Sequence, residues 1–133
     1  MKIVINVCFG GFGLSDEGIL KYAEIKGIKL YPEKAKLSLG SDNYYTVPVC
    51  EYWELRKKDI ANGNYELSNA AYFSHYHIDR DDPALIETVE QLGNKANGLC
   101  ASLKIVEIPD GIEWEIDEYD GNETIHEKHK SWS

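Results

Sequence analysis

Four histidines, three cysteines and a run of carboxylates are the side chains of this 133-residue chain with the widest chemical scope. His75 and His77 flank one tyrosine, and His126 and His129 stand three apart. On a strand, side chains two apart share a face, so the first pair can in principle ligate a metal. In the hairpin register argued below, His126 and His129 point to opposite faces. No cysteine or carboxylate stands at a recognised zinc spacing, so surface or satisfied histidines are expected, with no metal site. Glu113, Glu115 and Asp117 alternate with apolar residues, which is the pattern of a solvated strand face rather than of an acid–base pair. Ser15, Cys8 and Cys100 have no base partner at a telling spacing. The expectation is a protein that is not an enzyme, without catalytic residues or cofactor.

Binding chemistry is better supplied. Phe9, Gly10, Gly11, Phe12 and Gly13 form a glycine-rich turn between an apolar run and a helical pattern. Two readings of it stand: a tight turn that needs positive φ, and a ligand loop in which backbone N–H groups face an anion and a phenylalanine offers a stacking surface. The spacing fits neither the dinucleotide-binding nor the P-loop fingerprint, and Asp16 and Glu17 in the first helical turn would repel phosphate. Nine tyrosines, three tryptophans and three phenylalanines accompany only two arginines, Arg56 and Arg80. Aromatic rings and a few arginines suffice to hold a base and its phosphates by stacking and charge-assisted bonds.

Composition narrows the partners. The formal charge is −9, whereas proteins that bind long DNA or RNA carry basic faces that displace counterions. Long nucleic acid is therefore excluded as a partner, while a small anionic ligand needs only a few converging donors. No apolar run approaches the roughly 20 residues of a membrane-spanning helix, and no secretory leader pattern opens the chain. An odd, scattered set of cysteines without CxxC fits a reducing cytoplasm.

The elements that must position these residues read as one α+β domain over residues 1–133, mostly antiparallel sheet with about two helices and a C-terminal hairpin. Lys2 to Val7 reads as a strand. Ser15 caps a helix over 16–26 that ends at Gly27, its stripe made by Ile19, Leu20, Tyr22, Ala23 and Ile25. Short strands are expected at 28–31, 36–39 and 44–47, punctuated by Pro32. Residues 51–76 carry no clear periodicity beyond a turn at Asn62-Gly63-Asn64. Asp82 and Pro83 open a helix over 83–92, and 103–108 and 112–119 alternate as strands. Asp120-Gly121 then gives a two-residue hairpin pairing Ile116 with Ile125, Glu115 with His126 and Glu113 with Lys128.

The order of the motifs carries a resemblance. Val-Ile-Asn-Val-Cys-Phe-Gly-Gly-Phe-Gly-Leu-Ser at 4–15 is followed by Arg-Asp-Asp-Pro at 80–83 and Gly-Asn-Lys-Ala-Asn-Gly at 93–98. Leu-Lys-Ile-Val-Glu-Ile-Pro-Asp-Gly at 103–111, Trp-Glu-Ile-Asp-Glu-Tyr-Asp-Gly at 114–121 and His-Lys-Ser-Trp at 129–132 complete the set. Together these resemble a family of short phage proteins, the first-described branch of the Thoeris anti-defence sponges. Residues 28–76 contribute little to the likeness. The resemblance implies a phage protein acting in the cytoplasm of an infected bacterial host. It implies a homodimer, and beyond it a hexamer made as a trimer of dimers. Such proteins sequester cyclised ADP-ribose signals made by TIR-domain enzymes, and some also take cyclic trinucleotides from cGAS-like enzymes at a separate site; neither ligand is degraded. The family's arginine before Asp-Pro matches Arg80, and its Ala-Asn-Gly asparagine matches Asn97. Its ending His-Arg-x-Trp becomes His129, Lys130, Ser131 and Trp132 here, which keeps the charge but loses the bidentate fork. The expected ligand contacts are therefore Phe9, Gly10, Gly11, Phe12, Arg56, Arg80, Asn97, His129, Lys130 and Trp132. The alternative is a phage protein that acts by contact with a host or virion protein.

Overall fold

Ile3, Val4 and Ile5 are almost wholly buried, and they make strand β1 (Lys2–Asn6) the centre of the core. In the computed structural model, which describes residues 1–34 and 42–127, β1 pairs antiparallel with β5 (Leu103–Glu107), Ile3 opposite Val106 and Ile5 opposite Lys104. Helices α1 (Asp16–Lys26) and α4 (Pro83–Leu92) pack on this ribbon and on each other.

Both helices start and stop as their sequences dictate. The Ser15 hydroxyl accepts the Gly18 N–H at 3.0 Å, and Gly27 closes α1 at φ 76°. Asp82 caps α4 by accepting the Ala84 N–H at 2.9 Å, with Pro83 in the first turn. Ile19, Tyr22, Ala23, Leu85 and Val89 are buried between them. Leu20, expected on the α1 stripe, is exposed instead. It lies about 100° round the helix from Ile19 and further still from Tyr22.

A second sheet has the order β2 (Tyr31–Glu33), β3 (Asn43–Tyr45), β4 (Tyr72–Phe73), all antiparallel. Pro32, expected to interrupt the chain, lies inside β2 opposite Tyr44. The strand is at the edge of its sheet, where a missing N–H is tolerated. The strand expected at 36–39 lies outside the described residues.

Two helices fill the stretch that carried no periodicity. These are α2 (Val49–Asn62) and α3 (Glu66–Ala71), so the described residues hold four α-helices rather than about two. The anticipated turn is there, with Gly63 at φ 73° ending α2. The only buried residue of α2 is Asp59, whose carboxylate accepts from the Leu67 N–H (3.1 Å), the Ser68 N–H (2.7 Å) and the Ser68 hydroxyl (2.6 Å). A helix that buries a carboxylate rather than a stripe of leucines leaves little hydrophobic period to read.

Strands β6 (Trp114–Tyr119) and β7 (Asn122–Glu127) form the C-terminal hairpin in the anticipated register, Ile116 opposite Ile125 and Glu115 opposite His126. Asp120 and Gly121 have φ of 50° and 86°, the two positive values this turn requires. Lys128, the expected partner of Glu113, lies outside the described residues. No helix among them is long and apolar enough to cross a membrane.

Candidate ligand cleft

A cleft of about 380 Å³ opens where the glycine-rich turn, the start of α1 and the second sheet meet. Four separate pieces of chain wall it: Gly10 to Ile19, Asp42 to Tyr44, Tyr72 to Tyr76, and Gly98 with Leu99. Its rings come from Phe12, Tyr44, Tyr72, Phe73, His75 and Tyr76. The Tyr44 hydroxyl donates to Asp16 at 2.9 Å, which fixes that ring. Burial, that hydrogen bond and the nearby negative charge push the Tyr44 phenol well above its ordinary range, so it stays protonated. No lysine or arginine is among the lining residues that the structure describes. What the walls offer a ligand is aromatic surface, backbone groups, the His75 ring and the polar side chains of Asp42, Asn43 and Ser74.

His75 is the unusual member. It lies in a short 3₁₀ turn, His75–His77, packed beside Phe12 (ring centroids 6.3 Å apart) and Tyr76 (4.1 Å). Its Nε2 is buried and has no hydrogen-bond partner among the described residues. Burial lowers its pKa below 6.5, against a smaller opposing pull from Asp16, so the ring is neutral at pH 7. The turn also corrects the strand reading of His75 and His77. With three residues per turn, side chains two apart point about 240° apart, so the two share no face. His126 hydrogen-bonds Thr124 and lies 3.2 Å from Asp117 on the hairpin. No cluster of three or more His, Cys, Asp or Glu among the described residues is placed to hold a metal.

The expected contacts scatter. Gly10 and Phe12 line the cleft, whereas Phe9 is exposed and, like Gly11, is not among the lining residues. The turn's glycines serve a close approach: a Cβ on Gly121 would lie 2.1 Å from the Gly11 nitrogen, and one on Gly10 would lie 2.6 Å from the Cys100 Cβ. The Gly10 N–H, a candidate anion donor, is given to the Asp120 carbonyl at 3.1 Å. Asn97 accepts the Leu103 N–H on its side chain and bridges Leu14 by its backbone, which holds the turn from behind. Arg56 stacks on Tyr65 at 4.3 Å beside a separate hollow of about 220 Å³ under α2. His129, Lys130 and Trp132 lie outside the described residues.

Arg80 docks the hairpin. Its guanidinium makes a fork of bonds to Glu123 (2.6 and 2.9 Å), lies 3.7 Å from the Phe12 ring centroid, and reaches the Val4 carbonyl at 3.4 Å. Glu123 is 5% exposed and also accepts the Asn6 N–H at 2.8 Å. The Asn6 side chain donates to the carbonyls of Cys8 and Gly121, both at 2.7 Å. These contacts tie β1, the glycine turn and the hairpin into one unit behind the cleft.

Sequence reasoning missed Tyr44, Phe73, His75 and Tyr76 as wall residues. The signal that could have found them is the dense ring content of Tyr72-Phe73-Ser74-His75-Tyr76. Compared with known family models, with curated proteins and with solved structures, the chain matches none of them.

Proposed function

We propose that this chain is a non-enzymatic sponge that binds a nucleotide immune signal and holds it intact. Cyclised ADP-ribose is the first ligand class, with cyclic oligonucleotides a second. The setting is the cytoplasm of a phage-infected bacterium, where sequestration inhibits anti-phage defence of the Thoeris and CBASS kinds. The observation that carries the reading is the ring-walled, glycine-edged cleft, whose 380 Å³ falls in the ordinary range of small-ligand sites, roughly 300–1,000 Å³. Stacking is tolerant of base identity and needs no chemistry from the protein. Because no lysine or arginine is among the described lining residues, recognition by them is of base and sugar, and the phosphates meet their counter-charges elsewhere. The motif order of the sequence supports the ligand class, and the size and ring content of the cleft are compatible with it. Assembly as a homodimer, and as a hexamer beyond it, belongs to the same proposal.

The test is isothermal titration of the purified protein with cyclised ADP-ribose isomers and with cyclic trinucleotides, followed by heat denaturation and chromatography of what is released. Tight binding and intact ligand are expected. Degraded ligand would make the protein an enzyme, and an absence of binding to either class would remove the proposal.

A second reading, contact with a host or virion protein, is favoured by a different observation. Phe9, Leu99 and Tyr119 are 62%, 74% and 77% exposed, and their sequence neighbours Gly10, Cys100 and Asp120 lie together, the Gly10 N–H bonding the Asp120 carbonyl and a Cβ on Gly10 meeting Cys100. Co-purification of a protein, and no small molecule, from infected cells would favour it over the sponge.

A further inference from the structure

The buried Nε2 of His75 has no structural explanation inside the described fold. Buried polar side-chain atoms nearly always find a partner, and one left alone costs on the order of 1–3 kcal/mol. A phenylalanine would fill the same space without that cost. Among the described residues the atom completes no metal cluster and supports no cap or turn. It does belong to a ring that lines the cleft. Gly13, another lining residue, is its neighbour: a Cβ there would meet Nε2 at 3.9 Å, an ordinary contact distance. The Tyr76 ring, 67% exposed, lies against His75 with centroids 4.1 Å apart.

We infer that His75 is the residue that reads the ligand's hydrogen-bonding edge: a nucleobase entering the cleft supplies a partner for Nε2, which has none among the described residues. This rests on the nucleotide reading of the cleft. A purine or pyrimidine edge carries donors and acceptors side by side, so it can match either neutral tautomer of the imidazole. Neutrality matters for this role. Asp16 pulls toward protonation and Asp42 lines the same wall, yet burial prevails and leaves the ring uncharged at pH 7. Tyr44 on the same wall stays protonated, its phenol pushed up by burial and by its bond to Asp16. A polar atom kept unpartnered at a stability cost, beside a cavity, is how a binding site trades stability for recognition.

The test uses the full chain with cyclised ADP-ribose as probe. His75→Phe is expected to raise the melting temperature of the free protein, because it removes the unsatisfied nitrogen. The same variant is expected to weaken binding at least about tenfold, the loss of one hydrogen bond to a buried group. His75→Gln, which keeps a polar terminus, should recover part of that affinity. With ¹⁵N-histidine labelling, one imidazole Nε2 resonance, absent from His75→Phe, should move on addition of the probe. If wild type binds the probe and His75→Phe binds it equally well, the inference about His75 fails while the sponge reading stands. If wild type binds nothing, both fall.

Discussion

Asp59 is buried, and the charge it carries is set by competition. Desolvation raises its pKa, but the Ser68 hydroxyl and the N–H groups of Ser68 and Leu67 bind the ionised form, and Arg56 adds a smaller pull, so the carboxyl ends below its usual 3.8. Asp82 follows the same pattern: burial is outweighed by the Tyr22 hydroxyl, Lys26 and the Ala84 N–H. For a carboxylate whose folded pKa is lowered, the stabilisation is fully present above the unfolded value. It is lost as pH falls from about 3.8 through the lower folded value. Urea midpoints measured between about pH 6 and pH 2.5 should therefore drop on the acid side, and Asp59→Asn should start lower and show a flatter profile. An equally steep acid loss in Asp59→Asn would assign the effect elsewhere. Arg80 teaches the complementary lesson. Residue type and motif position marked it as a ligand contact, yet its fork is engaged by Glu123, a partner 43 residues away that no local pattern announces.

At the scale of elements, legibility follows how local the determining physics is. The α1 and α4 caps and the hairpin register were readable because Ser15, Asp82-Pro83 and Asp120-Gly121 act within a few residues of themselves. The docking of that hairpin was not readable, since it depends on Asn6, Arg80 and the Gly10–Gly11 backbone meeting Gly121 and Glu123. Helix α2 escaped because its rings stack sideways, Tyr52 on Tyr45 at 3.9 Å, instead of forming an inward stripe. The docking makes its own prediction. Removing one partner of a buried pair leaves the other uncompensated, so Arg80→Ala should destabilise by about 3–5 kcal/mol. The double change Arg80→Ala with Glu123→Ala should cost less than the sum of the two single changes. Urea denaturation of the four proteins measures the coupling, and strict additivity would show that the fork contributes little.

The whole molecule is divided between a well-buried half and a lightly held one. β1, α1, α4 and the residues around them supply most of the continuous cluster of Val4, Leu14, Ile19, Leu85, Val89 and Ala96. The α2–α3 pair instead touches the rest through the Tyr45–Tyr52 stack, the Trp53 bond to Glu33 at 2.8 Å, the Ala71 carbonyl that accepts the Thr46 N–H, and contacts beside β4. Trp53, Ile60, Tyr65 and Leu67 remain exposed on it. The cleft lies where the two halves join: Leu14, Ile19 and Tyr44 belong to the core and Phe73 packs on it, while Tyr72 and Phe73 follow directly on α3. That is also why the site was illegible as a motif, since its lining comes from four separate stretches of chain. Segments with few buried apolar contacts open at lower free energy than the global unfolding. Amide exchange should therefore release α2 first, with at least about 2 kcal/mol less protection than β1, β5 and α4, roughly thirtyfold faster. A ligand that bridges the two walls binds only the closed arrangement, so saturating probe should slow exchange in α3 and β4 while leaving β5 unchanged. Uniform protection across the chain would mean that the halves open together, and slowing confined to the hairpin would move the binding site away from the cleft.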